Sequence, residues 1–383
     1  MGFMTQLIKN GHLVSPDFEL HGGSIEIEKG FIKMVYPADA ILPEADSVFD
    51  AQGQMVMPGF IDIHIHGTKG FDFTHGTLEA VEAIAEAKLK EGVTTLLPTT
   101  LSTSPEKLTT AATAVAAYAK TPRFAKTPGL HLEGPFISPK QLGAMSPSDI
   151  RLPDLAEVRA LHAIMPVALV SLAIELDGAL EMIRELVAMG ITPSAAHSAA
   201  TAADYRAAKA EGLRHFTHFC NQMSALHHRE IGLVGSGLLD EEAMLELICD
   251  KIHLCPEMIQ LIFKIKETDR LMLITDSVLA SWMDDGEYTL GNLSIQVENG
   301  VARLASNGAL AGSTIRLNQA LKNVHELTGF PLSTLVKTTA WNQAQSLGLP
   351  NLGKIEPGYT ADLVVLDANF VPTEVFINGE PRL

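Results

Sequence analysis

Apolar residues along this chain recur in two alternating rhythms. From Pro58 onward, short runs rich in Val, Ile and Leu are separated by longer stretches whose apolar positions fall three and four residues apart. The first rhythm fits buried strands and the second amphipathic helices, which together predict βα units around a parallel sheet. Eight strand runs can be counted: FIDIHIHG, TTLLPTT, GLHLEGP, VALVSLAIE, ITPSAAHS, HFTHFCN, ELICDKIHL and LMLITDS. Eight is the number at which such a sheet closes into a barrel. Between them lie helix candidates such as LEAVEAIAEAKLKEG, DGALEMIRELVAMG and AADYRAAKAEG, each ending at or near a glycine that can cap a helix.

The two ends of the chain follow a different pattern. Residues 1–57 are short strand-like runs, SIEIEKGFIKMVYP and VFDAQGQMVMP among them, with Asn10-Gly11 and Glu28-Lys29-Gly30 as reversal signals. After the eighth run, YTLGNLSIQVENGVARLASNGAL suggests a hairpin insertion, and helices follow over 315–329 and 332–347. Strand signals return in the tail ADLVVLDANFVPTEVFINGEP. The expected fold is therefore α/β: a (β/α)8 TIM-like barrel over 58–347, with a small β-sandwich domain built from 1–57 and 348–383 together.

Composition supports one compact unit of this kind. With 383 residues, 46% hydrophobic and 19% charged, the chain can bury a large core, and a barrel absorbs roughly 250 residues or more. A net charge of −17 repels polyanions and argues against nucleic acid as a partner. A small phosphorylated ligand would need local cations. Cys220, Cys249 and Cys255 form neither a disulfide framework nor a CxxC zinc cage, so a reducing compartment, the cytoplasm, is expected. The opening MGFMTQLIKNGHLVSP does not read as a secretory signal. No apolar run reaches the roughly 18 residues of a membrane span.

Candidate chemistry gathers at the strand ends. In FIDIHIHG the strand period of two places Asp62, His64 and His66 on one face and Ile61, Ile63 and Ile65 on the other. Two neutral imidazoles aimed together suit zinc or iron, although a short HxH also arises by chance on polar strand faces. Further candidates end other runs: His131 and Glu133 the third, His197 the fifth, His218 the sixth, His253 the seventh and Asp276 the eighth. Barrel active sites are assembled from the C-terminal ends of several strands. His215, at odd spacing from His218, is expected to point away and to be structural.

At this point the chain resembles a known family. MPGFIDIHIHG, GLHLEGPF, AHSAAT, THFCNQMSALHHREIG, ITDS and LAGST are similar, in order and spacing, to motifs of the N-acetylglucosamine-6-phosphate deacetylases of the amidohydrolase superfamily. The resemblance implies a divalent metal, zinc or iron, held by Glu133, His197 and His218, with His64 and His66 completing a second site bridged by Glu133. Some members lack the HxH pair and use one metal, so both one and two remain open. It assigns Asp276 as general base and acid, and Asn221, Gln222, His228, Arg229 and His253 as substrate-binding residues. The implied substrate is a phosphorylated amino sugar, the implied assembly a homodimer in which Arg229 reaches the neighbouring subunit's site.

Two positions depart from that family pattern. Met145, in QLGAMSP, stands where relatives usually carry histidine, and Lys251 follows Asp250 where glycine is usual. Both touch specificity rather than the metal ligands. N-acetylgalactosamine 6-phosphate is an alternative substrate, since the run ALHHREIGLVGSGL resembles the sister group acting on that sugar equally well. A cyclic-amide hydrolase would commonly carry a modified lysine on the fourth strand, and VALVSLAIE has none. A catalytically silent sugar-phosphate-binding barrel is the reading from another class.

Overall fold

The computed structural model describes residues 5–383. Each strand run of the central stretch becomes a barrel strand. In order these are β1 (Phe60–Ile65), β2 (Val93–Thr100), β3 (Leu130–Glu133), β4 (Val167–Leu172), β5 (Thr192–Ala195), β6 (His215–Phe216), β7 (Met244–Ile248) and β8 (Leu271–Ile274). Neighbours pair in parallel in sequence order. The seam between β8 and β1 is closed by an Ile65–Ser277 bridge and by the Asp276 N–H, which donates to the His64 carbonyl at 2.8 Å.

One helix follows each strand: α1 (Leu78–Leu89), α2 (Pro105–Ala119), α3 (Leu155–Ile164), α4 (Ala179–Ala188), α5 (Ala202–Ala210), α6 (Gly232–Leu239), α7 (Pro256–Ile265) and α8 (Leu317–Thr328). Local chemistry sets their limits. Thr201 and Asp204 form a reciprocal capping box at the start of α5, satisfying backbone donors that a helix leaves unpaired. The predicted helix over 332–347 is instead three short pieces, with 3-10 geometry over Val336–Thr339.

The strands divide their side chains between two cores. Leu96, Val170, Leu172, Leu245, Leu247, Leu271 and Leu273 pack outward against the helices, whereas Leu97, Leu169, Met244, Ile248, Met272 and Ile274 fill the lower barrel interior. Fully burying such a side chain stabilises by about 1.5–3 kcal/mol, so these two layers carry the fold. Above the lower layer the interior turns polar. His131 Nε2 lies 2.7 Å from Ser171 Oγ, and Ser171 and Ser194 each lie 2.6 Å from Thr217 Oγ1. Buried polar groups add little net stability even when paired; this layer supports the site above it.

The strict alternation expected of β1 fails, for a visible reason. Asp62 pairs with Leu96 and Ile65 with Pro98, so β1 carries one extra residue between these points. This bulge turns Asp62 out of the barrel, where Thr275 Oγ1 donates to it at 2.6 Å, while His64 and His66 face in. Ile61 and Ile63 join the lower interior core and Ile65 the outer one. His215 also departs from expectation, for its ring lies inside the barrel, with Nδ1 3.6 Å from Glu246 Oε1 and Nε2 2.5 Å from Ser346 Oγ.

The chain ends meet in one hydrogen-bonded sheet. Its strands are Thr5–Ser15, Phe18–Glu28, Phe31–Tyr36, Ser47–Asp50 and Met55–Pro58 from the start, and Leu363–Leu366, Pro372–Ile377 and Glu380–Pro381 from the tail. Leu363–Leu366 pairs antiparallel with Met55–Pro58, directly before β1. Ile8, Ile25, Ile27, Val56, Leu363, Val365 and Phe376 form a shared core. Asn10-Gly11 is not a reversal: Thr5–Ser15 runs through it with a register shift, and the chain turns back after Ser15.

The insertion after β8 is a three-stranded antiparallel sheet, Gly286–Leu290, Leu293–Glu298 and Val301–Leu304. Its Leu290, Ile295, Val297 and Leu304 pack with Leu101, Met145 and Val278, forming one wall over the C-terminal mouth of the barrel.

Candidate metal centre

Six buried side chains from five strands converge at that mouth. Glu133 occupies the centre. Its Oε1 lies 2.9 Å from His218 Nε2 and 3.1 Å from His197 Nε2. Its Oε2 lies 3.0 Å from His66 Nε2, and Oε1 is 3.7 Å from His64 Nε2. Asp276 Oδ1 closes the group at 3.3 Å from His66 Nε2 and 3.4 Å from His64 Nε2. Asp276, the most open of the six, is only 7% exposed.

Backbone geometry explains how these residues arrive there. His197, His218 and Asp276 lie two residues beyond β5, β6 and β8, and all three have positive φ, at 44°, 30° and 48°. Left-handed backbone at a non-glycine residue costs on the order of 1–3 kcal/mol and concentrates at functional sites. The kink turns each side chain across the barrel mouth instead of along its strand. Gly312 makes room for the last of them, since a Cβ there would lie 2.8 Å from the Asp276 carbonyl oxygen and 2.4 Å from Val278 Cγ1.

The outer ring nitrogens fix which atom each imidazole presents. His66 Nδ1 lies 3.2 Å from the Thr99 carbonyl and His197 Nδ1 2.7 Å from the Gln141 carbonyl. Carbonyls only accept, so both Nδ1 atoms carry a proton, which leaves each inward Nε2 to hold a second proton or to offer its lone pair to a cation. His64 Nδ1 faces Glu246 Oε2 at 3.2 Å in the same manner. Such orientation by outer hydrogen bonds is how ligating histidines are usually held. His197 Nε2 and His218 Nε2 are then 3.1 Å apart beside a carboxylate oxygen, an arrangement that calls for a proton or a cation between them.

Two overlapping groups, His64–His66–Glu133 and Glu133–His197–His218, have ligand atoms close enough to share an ion. Mixed imidazole and carboxylate donors fit zinc or iron. Electrostatics agree with a cation-binding role. Burial opposes ionisation of Glu133, yet the charge of His64 and hydrogen bonds from His197 and His218 hold it well below the usual carboxylate range. Burial likewise opposes charge on Asp276, and His64 and His66 outweigh it and lower its pKa. Burial, reinforced by His64, pushes His131 down to about 3, so that ring stays neutral beneath the site.

The centre opens into a cavity of about 250 Å³, lined on one side by Asn221, Gln222 and His253 and on another by Leu101, Met145 and Leu290. His253 is not on β7 itself but five residues beyond its end, with Nδ1 2.7 Å from Asp250 Oδ2. His228 and Arg229 lie elsewhere, on an exposed turn where Arg229 Nη1 donates to His228 Nε2 at 2.8 Å. Lys251 pairs with Glu326 at 3.6 Å and does not line the cavity.

Sequence reasoning overlooked Glu246, which faces both His64 and His215. A lone acid within the apolar run of β7 was the available signal. It also overlooked the apolar cavity wall, whose residues are far apart in the chain, and the Thr99 and Gln141 carbonyls, which leave no trace in side-chain identity.

Comparison with known proteins places this geometry. Residues 55–382 match the model of the Amidohydrolase family. An N-acetylgalactosamine-6-phosphate deacetylase of Escherichia coli is 34% identical, covering 98% of this chain and 99% of its own. An N-acetylglucosamine-6-phosphate deacetylase of Lysinibacillus sphaericus is 32% identical, covering 100% and 99%. The structure of the Thermotoga maritima N-acetylglucosamine-6-phosphate deacetylase superposes with a TM-score of 0.90 at 37% identity, over 98% and 99% of the two chains. That of a Mycobacterium smegmatis enzyme of the same name, in complex with N-acetyl-D-glucosamine-6-phosphate, gives 0.92 at 32% identity over the whole of both chains. With the family matched over residues 55–382 and full-length similarity to these enzymes, the chain belongs to the amidohydrolase family and, within it, to the N-acetylglucosamine-6-phosphate deacetylases.

Proposed function

We infer that this protein is a metal-dependent deacetylase that hydrolyses the acetamido group of N-acetylglucosamine 6-phosphate, giving glucosamine 6-phosphate and acetate. The observation that carries this reading is the placement of Asp276 Oδ1 3.3 Å from His66 Nε2, beside a cluster of imidazoles and one carboxylate. Glu133, His197 and His218 would hold one divalent cation, and His64, His66 and Glu133 a second. A divalent cation held there supplies an acidified water and polarises the acyl oxygen.

The chain's own groups do the rest. Asp276, ionised at neutral pH, takes a proton from the water that attacks the acetyl carbon. It then delivers that proton to the sugar nitrogen as the C–N bond breaks, without which the amine is a poor leaving group. Asn221, Gln222 and His253 hold the sugar on the polar side of the cavity, with Asp250 fixing the His253 ring. His228 and Arg229 would grip the phosphate from a neighbouring subunit, supplying the cation that a chain of net charge −17 lacks overall. The reading thus includes a homodimer, and three free cysteines suit a cytoplasmic setting.

N-acetylgalactosamine 6-phosphate is the second reading, favoured by the 34% identity to the Escherichia coli enzyme named for that sugar. Met145 lines the cavity and offers no hydrogen bond, so discrimination between the epimers falls to other groups. The deciding experiment measures free-amine release from both sugar phosphates by zinc- and iron-loaded protein. Faster turnover of the gluco epimer is expected; activity on neither sugar by fully loaded protein would overturn the deacetylase reading.

A further inference from the structure

Three charged side chains that the metal centre does not use are sealed outside β1. Lys88 on α1, Glu91 just after it and Asp62 on β1 are each 0% exposed. Lys88 Nζ lies 2.9 Å from Glu91 Oε2, 3.2 Å from Thr275 Oγ1 and 3.6 Å from Asp62 Oδ2. Glu91 also accepts from Trp282 Nε1 at 2.9 Å and from the Leu317 N–H at 3.1 Å. Buried ion pairs of this kind are often matched or bettered in stability by an apolar plug of equal size. Their distinctive property is direction.

The contacts of Lys88 with Thr275 and Asp62 lead to the barrel seam. Asp62 accepts from Thr275 Oγ1 at 2.6 Å, from the Thr275 N–H at 3.2 Å and from the His64 N–H at 3.4 Å. Thr275 has one hydroxyl proton, which goes to Asp62, so its lone pairs receive Lys88 and the Ser277 N–H, the latter at 3.2 Å. The next residue along is Asp276. The cluster therefore clasps the peptides that carry His64 and Asp276, where β8 and β1 lack a regular ladder.

We propose that Lys88, Glu91 and Asp62 act through Thr275 as positioning residues, setting the distance between the Asp276 carboxylate and the His64–His66 pair. Lys88 and Glu91 hold the Asp62 carboxylate in one orientation, and Asp62 holds both strands. An error of 1 Å between reacting groups can cost about a hundredfold in rate, so a clasp of this stiffness belongs to turnover and not to stability alone. The proposal rests on Asp276 as the proton carrier of the deacetylation.

Thr275→Val tests it, because valine keeps the shape and removes the hydroxyl. The expected result is a fall in kcat of roughly ten- to a hundredfold with KM within about threefold and metal content unchanged. Thr275→Ser, which restores the hydroxyl, should recover most of the rate. Cobalt(II)-loaded protein gives a readout independent of turnover: its visible absorption bands should shift in Thr275→Val and return in Thr275→Ser. Should Thr275→Val fail to fold, Glu91→Gln is read in the same two ways. Wild-type kcat and an unshifted cobalt spectrum in a folded variant would overturn the clasp, whereas a wild-type protein inactive on both sugars would overturn the deacetylase reading and leave the spectrum to decide.

Discussion

Glu133 Oε1 meets His218 Nε2 at 2.9 Å while Glu133 Oε2 meets His66 Nε2 at 3.0 Å, so one carboxylate addresses two imidazole groups from its two oxygens. On the proposed two-cation reading, Glu133 would serve both sites. Glu133→Gln should abolish binding at both sites, and His66→Ala should remove one equivalent and keep the other. Elemental analysis after metal loading and desalting checks this; equal loss in both variants would refute the bridge.

Asp276→Asn keeps size and removes the ability to carry a proton. Its kcat is expected to fall by about 10²- to 10⁴-fold, with fold and metal content intact. Near-normal release of amine from this variant would take Asp276 out of the chemistry.

Metal-free protein should respond to pH in a way that loaded protein does not. Burial opposes charge on His66, but bonds to Asp276 and Glu133 prevail and raise it to about 9; His64 is raised as well. Groups raised on folding stabilise below their unfolded value, near 6.5, and that contribution is lost as pH rises through about 9. Thermal denaturation between pH 6 and 10 should therefore show the metal-free protein losing Tm at the alkaline end while the loaded protein, its imidazoles already committed, holds steady. Parallel curves would contradict this.

Gly312→Ala forces a Cβ against the Asp276 carbonyl at a residue with φ of +54°. A destabilisation of about 1–3 kcal/mol is expected, together with reduced turnover, read by denaturant melts and steady-state kinetics. An unaffected rate would show that the loop carrying Asp276 yields easily.

Arg229→Ala should lower kcat/KM for phosphorylated substrate by roughly tenfold to a hundredfold, the worth of one or two charge-assisted hydrogen bonds. The same variant should leave the unphosphorylated sugar unaffected. Mixing it with an Asp276→Asn variant should restore activity in hybrid dimers, since both defects then fall in one site and leave the other intact. No recovery on mixing would argue against a contribution from the partner.

Much of the fold was legible in the sequence because burial on both faces leaves unbroken apolar runs, and all eight runs became barrel strands. The site was half legible. Residue types announced His64, His66, Glu133, His197, His218 and Asp276, but strict strand parity would have sent Asp62 inward and His215 outward. Both reversals come from backbone events, a bulge in β1 and a left-handed residue after β6, that side-chain identity does not encode. Asn10-Gly11 misled for a related reason: the same dipeptide that makes a tight turn also suits a bulge in a long strand.

The pairing of Leu363–Leu366 with Met55–Pro58 has a bearing on biosynthesis. The strands of residues 5–58 pair among themselves as they emerge, but one edge of Met55–Pro58 cannot find its neighbour until nearly all of the polypeptide has left the ribosome. That edge must wait open, and truncation of even the last two dozen or so residues should leave it prone to pair with other chains. Quality control in the cell would then sense an unfinished copy of this protein through its beginning, although the missing part is its end.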